Sequence, residues 1–280
     1  MPRKRKAAKA SEALTLKSLL NKCPACNHEM TSAYYNRRRV YTLPRAVDLR
    51  LQIRRCENEW CPRYQRPYRP ELETRLALPY SKFGLDVIAA VARMRNHNRS
   101  NSARIQGVLA KHGLPISLRT VRNLVDRGHE LETRVVTNGD ELQEHDAKER
   151  FVVLDVFWVR EDNYSPTMLI VRDCISGLIL TARFIRPSQG FDINSLVVEI
   201  SRTSPIPVLA IVTDDPVFRR DMLPRLFQKH DLDSTLQHSH CCRFPATPAV
   251  NAREQDSLAS FLHNVTRVAP HFSAIRSPFV

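Results

Sequence analysis

The chain has 280 residues, 42% hydrophobic and 26% charged, which excludes disorder throughout and leaves room for one large domain or several small ones. No apolar run approaches the roughly 20 residues of a spanning helix and no apolar leader core follows the basic start. A membrane protein is therefore not expected, and a cytoplasmic, nucleoid-associated location is. The net charge of +14 is unevenly placed: residues 1–128 carry 27 basic and 9 acidic side chains (+18), residues 129–150 carry 3 and 7 (−4), and residues 151–280 carry 13 and 13. This split predicts a polyanion-binding front end joined to an electrically balanced remainder.

Residues 1–19 read as a basic, disordered tail. The run Arg3-Lys4-Arg5-Lys6 suits a solvated tail, a phosphate-contacting arm or a nuclear signal, and the residues do not choose among the three. Residues 20–70 predict a zinc ribbon. Cys23-Pro24-Ala25-Cys26 and the later pair Cys56 and Cys61 flank a basic, strand-like stretch, and two such knuckles set four thiolates around a structural Zn²⁺. The alternative, a disulfide framework, fits poorly with the irregular spacing of the other cysteines and the lack of a leader. Between the pairs, Val40, Leu43, Val47, Leu49, Leu51 and Ile53 suit short antiparallel strands. Arg37, Arg38 and Arg39, together with Arg45, Arg50, Arg54 and Arg55, make this surface basic and are candidate duplex contacts.

Residues 71–128 change to a helical period. Ser81 is placed to cap a helix with Phe83, Val87, Ile88, Val91 and Met94 on one face. Ser100 opens a second helix through Ile105, Val108 and Leu109 that ends at His112-Gly113. After Leu114-Pro115-Ile116, Ser117 caps a third helix with Val121, Leu124 and Val125 inward. Helix, glycine-containing turn and capped helix are the helix-turn-helix pattern. Arg119, Thr120, Arg122 and Asn123 then face outward near the start of the third helix, where a recognition helix meets base edges. An ordinary three-helix bundle with a basic face is the plainer alternative. Residues 129–150 read as an acidic linker.

Residues 151–280 predict an α/β unit. Strands are expected over 151–159, 168–171, 178–184 and 208–213, with a helix after Pro187 carrying Ile193, Leu196, Val197 and Ile200. The order β-β-β-α-β opens a ribonuclease-H-like fold with a mixed sheet, so the fold class expected for the whole chain is multidomain α+β. In such a sheet the first and fourth strands are neighbours, which brings Asp155 and Asp214 together. Two adjacent carboxylates repel unless a divalent cation joins them, and Mg²⁺ or Mn²⁺ there suits phosphoryl transfer. The alternatives are an Asp155 bonded to backbone and an Asp214 that caps the next helix.

The succession of Cys-x2-Cys…Cys-x4-Cys ribbon, helix-turn-helix and Asp-bearing β-β-β-α-β unit resembles prokaryotic insertion-sequence transposases of the DDE class. Leu76-Ala77-Leu78-Pro79, Phe83-Gly84-Leu85-Asp86-Val87-Ile88 and Val171 to Leu180 carry the same likeness, which covers about residues 20–240. The resemblance implies Asp155 and Asp214 as the first two catalytic acids, metal-dependent nicking at the element's terminal inverted repeats, strand transfer, and a homo-oligomer on double-stranded DNA. Pro248 to Glu254 is similar to the segment before the third acid, which makes Glu254 its candidate. His238, His240, Cys241 and Cys242 look like a degraded His/Cys segment, with a second zinc as a lesser alternative. The resemblance also implies a C-terminally truncated copy. Beside it stand two other readings: a catalytically inactive, transposase-derived DNA-binding protein, and a zinc-ribbon component of transcription or RNA machinery.

Overall fold

The computed structural model describes residues 12–96, 98–114, 116–133, 152–160, 166–174, 178–184, 208–213 and 239–241. Strands β1 (Glu12–Leu16), β2 (Met30–Tyr41) and β3 (Ala46–Cys56) form one sheet in the order β1-β3-β2. β2 and β3 are antiparallel and β1 runs parallel to β3. Alternation explains the ladder: Val47, Leu49, Leu51 and Ile53 are buried on one face of β3, while Asp48, Arg50, Gln52 and Arg54 lie on the other.

The expected tail over 1–19 needs a correction, because its second half is part of the fold. Leu14 and Leu16 alternate with Ala13 and Thr15, so β1 adds an apolar edge to the sheet and buries both leucines. Ser18, Leu19 and Leu20 are also buried, held by Glu71.

Four helices follow: α1 (Glu73–Leu76), α2 (Leu85–Asn96), α3 (Ser102–Lys111) and α4 (Leu118–Thr133). Two caps differ in detail from the residues expected. The Ser81 hydroxyl closes a local turn with Phe83, and the cap of α3 is Asn101, whose side chain accepts from the Arg104 N–H at 2.9 Å. Ser117 caps α4 as expected, accepting from the Thr120 N–H at 3.2 Å. Gly113, at φ +75°, takes the left-handed position that ends α3, and the Leu114 N–H reaches back to the Leu109 carbonyl at 3.1 Å. The last helix runs past residue 128 to Thr133, because Leu131 continues its buried stripe.

The second sheet holds β4 (Val152–Arg160), β5 (Pro166–Asp173), β6 (Ile179–Phe184), β7 (Val208–Thr213) and β8 (Ser239–Cys241), in the order β6-β5-β4-β7-β8. β4-β5 and β5-β6 are antiparallel, whereas β4-β7 and β7-β8 are parallel. β8 occupies the segment read from sequence as a His/Cys stretch. Its carbonyls and N–H groups extend the sheet, so its backbone has a role that does not need the side chains of His240 and Cys241.

The two sheets share cores with the elements between them. Phe157, Val159, Met168, Ile170, Ile179 and Ala182 join the apolar cluster of α2, α3 and α4. Cys174 and Val212 join the cluster of the N-terminal sheet. Asp155 thereby lies next to α1. The helix expected after Pro187, Asp214, Glu254, His238 and Cys242 lie outside the described residues.

Candidate metal centre and nucleic-acid interface

The four cysteines singled out from spacing come together. Cys23 and Cys26 flank a tight turn in which the Asn27 N–H donates to the Cys23 carbonyl at 2.8 Å and Asn27 adopts φ 57°. Cys56 ends β3, and Cys61 follows a turn closed by its own N–H to the Asn58 carbonyl at 3.0 Å. The four sulfurs lie within 4.8 Å of one another, with Cys23–Cys61 at 3.7 Å and Cys26–Cys56 at 3.5 Å. Zn–S bonds of about 2.3 Å place tetrahedral sulfurs about 3.8 Å apart, so the donor set fits a metal ion such as zinc. The Arg63 N–H points at the Cys61 sulfur at 3.4 Å, a contact that supports a thiolate ligand.

The electrostatics point the same way. Burial pushes the Cys56 thiol up to about 12, and neighbouring sulfurs add to it; burial also raises Cys61. Burial acts upward on Cys26 too, but hydrogen bonds from the His28 backbone and adjacent thiols draw it down. Four packed sulfurs cannot all ionise unaided. A divalent cation supplies the missing charge.

The second group of candidates is basic. Arg119, Arg122 and Asn123 are exposed on the first turns of α4, and Thr120 is half-buried with its hydroxyl engaged by Ser117 at 2.8 Å. Val121 and Leu124 face inward. In the N-terminal sheet the three consecutive arginines separate by role. Arg37 is exposed. Arg38 turns inward, donating to the Leu78 and Ser81 carbonyls at 3.0 and 2.9 Å and pairing with Glu73 at 2.9 Å. Arg39 forms a bidentate pair with Asp48 at 2.7 and 3.0 Å.

Asp155, the first candidate acid, is buried with 1% exposure, and both its oxygens are engaged. Arg75 of α1 donates from Nε to Oδ2 at 2.8 Å and from Nη2 to Oδ1, while Arg172 of β5 donates from Nε to Oδ2 at 2.6 Å. Arg172 also reaches the Glu71 carbonyl and the Thr74 hydroxyl. Burial opposes ionisation of Asp155, but the charges of Arg75 and Arg172 outweigh it and hold the carboxyl below its usual range. Taken with these partners, Asp155 does not fit a hard cation: Mg²⁺ or Mn²⁺ would have to displace at least one guanidinium.

Sequence reasoning missed the partners. The segment 71–75 is a hub: Glu71 accepts from the Leu19 and Leu20 N–H groups at 2.7 and 2.9 Å and from the Tyr68 hydroxyl at 3.1 Å. Glu73 holds Arg69 at 2.6 Å, and Arg75 holds Asp155. One signal was available. Arg172 interrupts an apolar strand just as Asp155 does, and the antiparallel β4–β5 register sets the two opposite each other.

Among the described residues no helix is long and apolar enough to cross a membrane. Compared with protein-family models and with curated proteins, the chain gives no match.

Proposed function

We propose that the chain is a duplex-DNA-binding protein of the insertion-sequence transposase type, in which Asp155 serves as an ion-pair hub and not as a metal ligand. The observation that carries the DNA reading is the solvent-facing set Arg119, Arg122 and Asn123 on the first turns of α4, behind the Gly113 turn. Arginine and asparagine at these positions are suited to bidentate contacts with guanine and adenine edges in a major groove. The +18 charge of residues 1–128 supplies the phosphate attraction that brings such a helix to a duplex. Zinc at Cys23, Cys26, Cys56 and Cys61 is structural in this reading, since four protein sulfurs leave no open coordination position. The transposase ancestry is supported by the order of ribbon, the helices α2–α4 and mixed sheet, and by the strand order β6-β5-β4-β7-β8.

A second reading, an active metal-dependent transposase, is favoured by one observation. β4 and β7 are parallel neighbours with Asp155 opposite Val212, and Val212 lies two residues before Asp214 in the sequence. This reading requires Asp155 to leave its arginines before Mg²⁺ or Mn²⁺ binds.

Fluorescence anisotropy with labelled duplexes tests the DNA reading. Arg119→Ala with Arg122→Ala weakens duplex binding at least tenfold without lowering the thermal midpoint; unchanged affinity overturns the assignment of α4. Incubation of terminal repeats with Mg²⁺ or Mn²⁺ separates the two readings. Nicking that is lost in Asp155→Asn, in a variant still folded, replaces the first reading by the second.

A further inference from the structure

The solvent face of the N-terminal sheet carries an arrangement that works against its own stability. The β2–β3 register sets Arg37 directly opposite Arg50, and both are exposed. Like charges directly opposed across an antiparallel ladder destabilise it. The neighbouring arginines are neutralised or bonded: Arg39 by Asp48 at 2.7 Å, Arg45 by Glu12 at 2.5 Å, and Arg54 by the Met30 carbonyl at 3.2 Å. Among the described residues Arg37 and Arg50 have no acidic partner. Asp48, one pair along on the same face, is already taken up by Arg39.

The surroundings leave room for an anion. The parallel register of β1 places Thr15 beside Arg50 and Ala13 beside Asp48, so short side chains border the pair. An open groove of about 700 Å³ results, lined by Ala13, Thr15, Arg37, Arg39, Asp48 and Arg50. On the other side the Arg50 guanidinium lies over the half-exposed Tyr35 ring, 4.2 Å from its centroid. That stacking fixes the plane of one fork while its N–H groups stay available.

We infer that the outer face of the β1-β3-β2 sheet is a phosphodiester-binding surface, with Arg37 and Arg50 straddling one backbone phosphate of a nucleic acid. The inference rests on the DNA reading above and adds to it a contact surface separate from α4. The paired forks match phosphate oxygens bidentately, and the bound phosphate relieves the repulsion between them. An open groove suits a phosphate carried on a backbone better than an enclosed small anion. The surface reads no bases, so its contribution is uniform over sequence.

The test uses the full zinc-loaded chain and two labelled probes, a duplex and a single strand of equal length, over a series of salt concentrations. Arg37→Gln, and Arg37→Gln with Arg50→Gln, are compared with Arg119→Ala plus Arg122→Ala. The expected result for the double glutamine variant is binding weakened about tenfold and a log K against log[salt] slope reduced in magnitude by about 1. The thermal midpoint of the free Arg37→Gln protein is expected to stay level or rise, because an opposed charge is gone. Loss on the single strand alone assigns the same surface to single-stranded backbone. Unchanged affinity and slope on both probes, with the α4 variant still weakened, overturns the inference and spares the DNA reading. A midpoint that falls in Arg37→Gln makes the pair structural and also overturns it. Wild-type protein that binds neither probe in a salt-dependent way overturns both.

Discussion

Arg172 donates from Nε to Oδ2 of Asp155 at 2.6 Å, across the β4–β5 ladder, with both side chains withdrawn from solvent. Arg75 completes the group from α1, so an acid on the second sheet is tied to the segment that also anchors the first. Removing one member of a buried ion group leaves the others uncompensated. Asp155→Ala is expected to destabilise the protein by about 3–5 kcal/mol, read from urea midpoints and slopes. A carboxylate kept for metal binding behaves in the opposite sense, since its removal relieves repulsion. A midpoint that rises in Asp155→Ala therefore rejects the hub assignment.

The same group sets an acid limb of stability. The folded carboxyl of Asp155 is depressed, chiefly by Arg75 and Arg172 against the effect of burial. Its contribution is complete above about pH 4, the unfolded value, and is lost as pH falls through the folded one. Glu71 runs the other way: burial raises its carboxyl despite hydrogen bonds from Leu19, Leu20 and Tyr68. Its titration therefore favours the folded state at low pH, and that contribution is lost as pH rises through the folded value. Denaturation midpoints taken from about pH 2 to 7 should flatten below about pH 4 in Asp155→Asn. An acid limb identical to wild type would contradict the role given to this carboxylate.

Metal removal should act on the whole N-terminal sheet. Cys23, Cys56 and Cys61 belong to the same apolar cluster as Leu16, Leu49, Leu51 and Ile53. A chelator strong enough to strip zinc, or Cys26→Ser, is expected to lower the thermal midpoint and release about one zinc per chain. Cys174, buried in the same apolar cluster but not one of the four grouped sulfurs, serves as the control. Cys174→Ala should keep its zinc. Equal zinc content in Cys26→Ser and wild type would exclude this donor set.

Gly128 lies where α4 packs tightly against α2. A Cβ there would lie 2.9 Å from the Ala92 Cβ and 3.9 Å from the Ile88 Cγ2. Alanine gains about 1 kcal/mol of helix propensity over glycine. Overpacking against a side chain that cannot swing away costs about 1–3 kcal/mol. Packing is expected to win in Gly128→Ala by about 1 kcal/mol, with Gly128→Val worse. Calorimetry decides it, and a raised midpoint in Gly128→Ala would mean that α4 slides freely on α2.

Much of the local architecture was legible from residue order. The cysteine spacing found the four-sulfur group because thiolate ligands on two turns need little more than the right intervals. The strand runs of the second half were legible because β-branched and apolar residues cluster there, and Ser117 marked the start of α4. The strand over Glu12–Leu16 was not, since five residues beside a basic run carry too short a pattern to outweigh it. Nor was the sorting of Arg37, Arg38 and Arg39. Consecutive residues on a strand alternate faces, and only the position of α1 shows that Arg38 finds Glu73 there.

The sequence by itself determined the four-cysteine group, the spacing of α3, its glycine turn and α4, the main strands and the confinement of the net positive charge to residues 1–128. These are properties of short intervals and of composition, which the chain carries without folding. Tertiary structure alone decided what the charges do. Asp155 and Arg75 are far apart in sequence, yet in the fold they share hydrogen bonds, and burial makes that pairing obligatory. Arg37 and Arg50, by contrast, are opposed by register and left to solvent. Whether a charge locks the fold or waits for a ligand depends on which partner the packing brings within reach.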